Sequence, residues 1–298
     1  MTNLPGPYIF GEVLFDCFQT GEQILGGAPF NVAWHLQALG HAPLLISRVG
    51  HDIQGNKVLG AMAKCGMDTR AVQVDTTYPT GQVQVTIHNN EPHYNIVSNS
   101  AFDFISAEQL PQTQAHGIFY HGTLCLRNPI SHSAYQRFSQ NKDLPIFVDI
   151  NLRSPWWHRD EVFTCLNKAH WAKMNSEELQ LLDKTADDIQ QQMAKLQTRC
   201  GLEQLIVTRG DQGALIRTAT GDFHSLRPDK VEDMLDSVGA GDAFSAVYIH
   251  GLLAGWPIDK NLHHAQQFAS KILELRGATT DSPNFYRDFL TSISMKPA

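Results

Sequence analysis

A chain of 298 residues, 42% hydrophobic and 18% charged, can bury one large core and has the composition of an ordinary globular protein. The formal net charge of -7 argues against a general nucleic-acid binder, which carries a basic surface, but leaves room for a local anion-binding site. The apolar runs are too short and interrupted to span a bilayer, so no membrane partner is expected.

Extended pattern runs from Tyr8 to Phe18, which is long for a single buried strand. In Asn31 to Leu39 the residues Val32, Leu36 and Leu39 recur at helical spacing, and Gly40 ends the run. Leu44–Val49 reads as a buried strand. Gln82–His88 alternates strictly, with Val83, Val85 and Ile87 on one face, and His93–Val97 can return antiparallel after Asn89-Asn-Glu-Pro92. Such segments suit a small sheet projecting from the main body, and a plain surface hairpin fits them equally well. Ile118–Tyr120, Ile146–Ile150 and Leu205–Thr208 are further strands, and Glu178–Gln197 and Leu262–Leu275 are amphipathic helical runs. Strands alternating with helices predict an α/β fold with a mostly parallel sheet covered on both faces. No long linker, low-complexity segment or internal repeat divides residues 1–298, so a single domain is expected.

Met1-Thr-Asn-Leu-Pro-Gly-Pro7 has neither a basic region nor a long apolar core, so no signal peptide is expected. Five dispersed cysteines without a Cys-x-x-Cys pair fit reduced thiols and a cytoplasmic location. No His-Glu-x-x-His occurs, so a zinc site is not expected.

Polar residues cluster where strands end. Asp16 follows an apolar strand and can accept hydrogen bonds from two hydroxyls of a polyol; a solvated turn is the plainer reading. Gly26-Gly-Ala-Pro-Phe-Asn31 opens a helix, with glycines that allow close approach of a ligand and an Asn suited to sugar hydroxyls. Asp149-Ile-Asn-Leu-Arg153 follows a β-branched strand, where open α/β sheets bind ligands, and Arg153 offers a fork of donors. Asn175 and Glu178 have the spacing of a helix cap with its reciprocal carboxylate, and could equally organise magnesium-bound water near phosphates. Thr208-Arg-Gly210 ends a strand and could contact a nucleotide or simply turn into the next strand. Asp236-Ser-Val-Gly-Ala-Gly-Asp242 stands before an apolar helix. Its glycine turn and the positive end of the helix dipole form an anion site, with Asp242 as a potential base at its mouth. The same tract is also an ordinary capped helix start. Neither Gly-x-Gly-x-x-Gly nor a P-loop is present, which counts against a nicotinamide dehydrogenase.

Taken in order, these tracts resemble the PfkB-type carbohydrate kinases of the ribokinase-like superfamily, from Gly11 to about Gly277-Ala278. Gly-Gly-Ala-Pro-x-Asn and Asp-x-Asn-x-Arg-x-x-x-Trp look most like the fructokinase branch. The resemblance implies a three-layer α/β/α ribokinase-like domain with a central mostly parallel sheet and a small β-lid from segments about 12–25 and 80–100. It implies transfer of the ATP γ-phosphoryl group to a sugar hydroxyl, with fructose to fructose 6-phosphate the leading reaction. Asp242 would be the base, and Gly239, Ala240 and Gly241 the anion hole. Asp16, Gly27, Asn31 and Arg153 would hold the sugar. Asn175 would position phosphates, Glu178 would reach Mg2+ through water, and Thr208, Gly210 and Gln266 would line the nucleotide pocket. Some members bind a monovalent cation near the Asp236 loop and the Gly277 region, so K+ is a further candidate, and the lid often mediates homodimers. Ser237 stands where the family usually has Thr, and Gln266 where Asn or His is common. Asp242 need not have a raised pKa, since the helix start beside it is expected to favour its ionised form. Residues 82–100 contain no Lys or Arg, which favours an unphosphorylated acceptor. The alternatives are a related kinase for ribose, a nucleoside or a ketodeoxy sugar acid, and a non-catalytic sugar or nucleotide sensor.

Overall fold

The computed structural model describes residues 6–88, 91–113, 117–184, 188–228 and 234–294. The strands are β1 Tyr8–Phe10, β2 Leu14–Phe18, β3 Gln23–Gly26, β4 Leu44–Gly50, β5 Val72–Asp75, β6 Gly81–His88, β7 Glu91–Ile96, β8 Phe119–His121, β9 Ile146–Asp149, β10 Trp171–Asn175, β11 Gln204–Thr208, β12 Ala214–Thr218 and β13 Phe223–Leu226. The helices are α1 Ala28–Ala38, α2 Ile53–Lys64, α3 Pro129–Phe138, α4 Arg159–Leu166, α5 Ser176–Leu182, α6 Ile189–Cys200, α7 Ala240–Leu253, α8 Ile258–Ile272 and α9 Pro283–Ser294.

Among the described residues, nine strands form one sheet in the order β13-β12-β11-β10-β9-β8-β1-β4-β5, parallel from β11 to β5 and antiparallel only at β12 and β13. Its central strands alternate between two cores. Tyr8, Phe10, Ile146 and Val148 point to the face covered by α3 to α6; Ile9, Phe147 and Ile206 point to the face covered by α1, α7 and α8. A sheet buried on both faces needs such continuous apolar strands, and this gives the expected α/β/α layering.

The extended run from Tyr8 to Phe18 is two strands in two sheets. The chain leaves β1, turns at Gly11 and enters β2 of a four-stranded sheet ordered β3-β2-β6-β7. A side chain at Gly11 would place its Cβ 2.4 Å from Pro29 Cγ, so only glycine lets the two segments part here. The 82–97 region is more than a surface hairpin. β6 pairs antiparallel with β7, as the alternation predicts, and also parallel with β2, matching Asp16 to Val83. Val83 and Val85 are buried, while the turn at Asn89-Asn90 and the side chain of Ile87 lie outside the described residues.

Three other expectations change in detail. The run Glu178–Gln197 is two helices, α5 and α6, with Asp183 as the extended C-cap of α5. The run Leu262–Leu275 begins four residues earlier, at Ile258, and its helix ends at Ile272. The helix expected over Asn31–Leu39 starts at Ala28, with Pro29 in its first turn, and is buried at every residue from Pro29 to Leu36. Contact with α7 on one side and the sheet on the other removes the solvent face that an amphipathic reading assumes.

Gly27 holds φ 108°, and a Cβ there would fall 2.8 Å from the Glu12 carbonyl oxygen. Gly27→Ala is therefore expected to lose about 1–3 kcal/mol or more from backbone strain and collision together. Gly21→Ala, at a similar positive φ but with nothing within 4 Å, should lose less. Urea midpoints of the two variants check the difference; equal losses would show that the Glu12 contact contributes nothing.

Candidate active site

A cleft of about 920 Å³ opens where the carboxyl ends of β8 to β11, the start of α7 and the small sheet meet. Its floor is built around a buried ion pair. Lys173 of β10 donates to both carboxylate oxygens of Asp149 on β9, each at 2.8 Å. Ser245 of α7 donates to Asp149 Oδ2 at 2.6 Å, and Tyr120 of β8 lies 3.3 Å from the same oxygen. Three elements thus converge on one carboxylate of a fourth. Lys173 Nζ also lies 3.6 Å from where a Cβ on Gly241 would be, so the cation sits beneath the first turn of α7.

That first turn starts abruptly. Gly239 takes a left-handed conformation, φ 83°, at the N-cap, and a Cβ there would collide with Ala278 at 2.3 Å. Asp236 reinforces the clamp: Oδ2 accepts from Gly277 N at 3.1 Å and Oδ1 from Val238 N at 3.0 Å. The first backbone N–H groups of α7 have no intrahelical partner, and Gly239, Gly241 and Asp242 line the cleft. The geometry supports an anion site at this turn.

Asp242 is in the first turn of α7, and Asn31 Nδ2 donates to its Oδ2 at 2.8 Å, linking the starts of α1 and α7. The amide nitrogen faces an acceptor-only carboxylate, so Asn31 Oδ1 points away, where it is buried without a partner. A Cβ on Gly26 would lie 3.7 Å from Asp16 Oδ2 and 4.0 Å from Asn31 Oδ1. Asp16, reached in β2 rather than at a main-sheet strand end, and Asn31 therefore present acceptors to one small space beside Asp242.

Burial pushes Asp242 up to about 7, aided by Asp149 and opposed by the Asn31 hydrogen bond, Lys173 and Arg153. The preference for the ionised form expected from the helix start is thus outweighed by burial. A helix N-terminus supplies about 0.3–1 kcal/mol, which is less than one pH unit, while desolvation moves the group from 3.8 to about 7. Burial likewise raises Asp16 to about 6, with Asp236 adding to the rise and Arg153 opposing it.

Asn175 and Glu178 form the reciprocal cap: Asn175 Oδ1 accepts from Glu178 N at 2.8 Å, and Glu178 Oε2 accepts from Asn175 N at 2.9 Å. Glu178 Oε1 also accepts from Leu152 N at 3.0 Å, tying α5 to the loop after β9. Both residues line the cleft, as do Gly27, Arg153 and Thr208. Ala240, Gly210 and Gln266 are not among its walls. Ala240 packs toward the α1 and α7 core, Gly210 begins the turn that carries the chain away into β12, and Gln266 sits half-buried on α8. Among the described residues, no group of three or more His, Cys, Asp or Glu is placed to hold a metal ion.

Glu12, Lys173 and Ser245 were not singled out from sequence. Lys173 carried a signal: a lone lysine inside the apolar strand Trp171-Ala-Lys-Met demands a buried partner. Glu12 carried a similar one within Tyr8–Phe15.

The sequence matches the family described as pfkB family carbohydrate kinase over residues 13–284. A fructokinase from Klebsiella pneumoniae is 30% identical, covering 95% of this chain and 97% of its own. In three dimensions the chain is similar to the fructokinase from Vibrio cholerae O395 solved with fructose, ADP and calcium ion, with a TM-score of 0.85 and 22% identity over 97% of this chain and 99% of that one. It is also similar to the aminoimidazole riboside kinase from Salmonella enterica solved with aminoimidazole riboside and an ATP analogue, with a TM-score of 0.83 and 23% identity over 96% and 99%. The chain belongs to the pfkB family of carbohydrate kinases, with the ribokinase-like α/β fold. It is a fructokinase-like sugar kinase, and no described helix is long and apolar enough to cross a membrane.

The raised carboxyls have a consequence for stability. Asp242 and Asp16 hold their protons more tightly folded, at about 7 and about 6, than unfolded, near 3.8. Their contribution is full below about pH 4 and is lost as pH rises through 6 to 7. The ligand-free protein should melt at a lower temperature at pH 8 than at pH 5.5, and Asp242→Asn should narrow the gap. Calorimetry at the two pH values tests this; an unchanged gap in the variant would show that Asp242 is not desolvated.

Proposed function

We propose that the chain transfers the γ-phosphoryl group of ATP to a hydroxyl of an unphosphorylated sugar, with fructose to fructose 6-phosphate the leading reaction. The observation that carries this reading is the set of acceptors converging beside the start of α7. Asp16 Oδ2 and Asn31 Oδ1 need hydroxyl donors, Asp242 is close by and can take a proton, and the free N–H groups of the helix can hold a phosphoryl group. Polyol on one side and phosphate on the other define phosphoryl transfer to an alcohol.

In this scheme Asp16, Asn31 and Arg153 orient the sugar, with Gly27 giving room for its approach. Asp242 accepts the proton of the attacking hydroxyl as its oxygen bonds to the γ-phosphorus and the bond to the ADP oxygen breaks. Gly239, Ala240 and Gly241 present backbone N–H groups to the transferred phosphoryl, so the contribution is chiefly positioning and charge stabilisation. Asn175 and Thr208 flank the nucleotide phosphates, with Gly210 and Gln266 further along the nucleotide's path. The donor set fits a hydrated Mg2+ held mainly by nucleotide phosphates, since Glu178 has both oxygens on backbone N–H groups and retains only outward lone pairs for water. When bound, that ion would neutralise phosphate charge. The loops joined by Asp236 and Gly277 are where K+ would act.

The small sheet, formed from segments about 12–25 and 80–100, is read as a lid on a single kinase unit spanning 1–298. Its closure would exclude water, and its outer face is the proposed homodimer contact. The five free cysteines support a reducing cytoplasmic setting. A nucleoside acceptor is the second reading, favoured by the aromatic side chains of Trp156 and Tyr94 on the cleft wall.

An ADP-release screen over hexoses, pentoses and nucleosides, with and without potassium, tests the assignment; no stimulation by any of them favours a sensor. Asp242→Asn should lose turnover by about 10²–10⁴-fold while ATP binding survives, and comparable turnover would sink the role of Asp242. In the native enzyme kcat/KM for the acceptor should climb with pH through about 7, as Asp242 ionises. Gly26→Ala has ordinary space at 3.7 Å and no positive φ, so it should fold normally yet raise the acceptor KM by intruding between Asp16 and Asn31. An acceptor KM equal to that of the native enzyme would place the sugar elsewhere.

A further inference from the structure

Glu12 stands at the joint between the two sheets. Gly11-Glu-Val13 is the link from β1 to β2, so every force between main body and small sheet on this strand passes through it. The link is pinned from three sides. Gly11 N bonds Ile46 O at 3.1 Å, Gly27 has its α-carbon so close that a Cβ would meet Glu12 O at 2.8 Å, and a Cβ on Gly81 would meet Val13 O at 2.9 Å. The backbone of Glu12 is therefore fixed against the entrances of β6 and α1, the same two points that carry the lid and Asn31.

Its side chain goes inward. Glu12 is 2% exposed, lines the cleft, and its Oε2 is buried with no hydrogen-bond partner. An unpartnered carboxylate oxygen in such a place is costly unless something else supplies a donor. The charged groups that face it are Asp242 from α7, Arg127 from the turn after β8 and Arg153 from the loop after β9. Arg127 has Nε and Nη2 on Asp103 at 2.7 and 2.8 Å and Nη2 also on Val97 O at 2.7 Å, and its Nη1 is buried without a partner. Neither arginine closes a hydrogen bond to Glu12 in the ligand-free protein.

We propose that Glu12 is an additional acceptor-binding residue, whose Oε2 accepts a hydrogen bond from a second hydroxyl of the sugar while Asp242 engages the reacting one. This rests on the sugar-kinase reading. It makes the joint of the lid part of the acceptor site, so that a bound polyol holds the link between the sheets from inside.

The test uses the full-length protein and the acceptor that the ADP-release screen identifies, with its monodeoxy analogues. Glu12→Gln should raise the acceptor KM about 10- to 100-fold and leave the KM for ATP unchanged. The native enzyme should discriminate against one deoxy analogue by about tenfold or more, and Glu12→Ala should lose that discrimination while keeping it for the others. The acidic limb of log kcat/KM, with Asp242 and Glu12 both needed ionised, should steepen toward a slope of two in the native enzyme and fall to one in Glu12→Gln. Melting temperature and ADP affinity report whether the variants fold, and Glu12→Asp, one methylene short with the charge kept, serves if Gln does not. Native values of acceptor KM, analogue pattern and slope in a folded variant overturn the inference and leave the kinase reading standing. A parallel rise in both KM values also overturns it, by showing a structural role alone. Absence of ADP release by the native enzyme with every acceptor defeats the underlying reading instead.

Discussion

The buried pair of Lys173 and Asp149 is the interaction on which the rest of the site depends. It joins β9 to β10, takes Ser245 from α7 and Tyr120 from β8, and sets the height of the first turn of α7 above the sheet. A buried ion pair adds little net stability, because desolvation offsets the Coulomb attraction. Removing one partner, however, costs about 3–5 kcal/mol, a large part of the roughly 5–15 kcal/mol that holds a domain together. Its value here is registry. An apolar replacement could fill the space, but would not place a cation under the helix start.

The same burial that makes the pair demanding raises the neighbouring carboxyls. Asp242 sits near 7 and Glu12 likewise near 7, both chiefly through desolvation, while Asp16 sits near 6. Glu12 Oε2 and Asn31 Oδ1, both lining the cleft, are buried without hydrogen-bond donors, which is unfavourable while they stay unpartnered. Unpartnered acceptors and raised carboxyls cost stability, as expected where a site is built for function rather than stability.

The small sheet is placed by glycines. Gly11, Gly27 and Gly81 let three chain segments pass closely at the joint, and Arg127 adds a fourth tie by binding Asp103 and the carbonyl of Val97 at the far end of β7. The wall of the cleft beside it is stiffened by Arg127 stacked over Trp156, with its guanidinium carbon 4.6 Å from the ring centroid.

Much of this was legible in the residues. Alternation of strands and helices gave the layered sheet, the β6–β7 pairing followed from period two, and the Asn175–Glu178 cap followed from spacing, because each depends on neighbours within a few residues. The tract Asp236–Asp242 marked the start of α7 for the same local reason. What only the tertiary structure decided is everything that needs segments far apart in the chain. Asn31 meets Asp242 across 211 positions and Ser245 meets Asp149 across 96. The run Tyr8–Phe18 divides between two sheets at Gly11, where Pro29 of another element leaves no room for a side chain. The raised pKa of Asp242 belongs to the same class: a helix start is written in the local sequence and favours the charged form, but desolvation is set by the whole enclosing fold, and it is the larger effect.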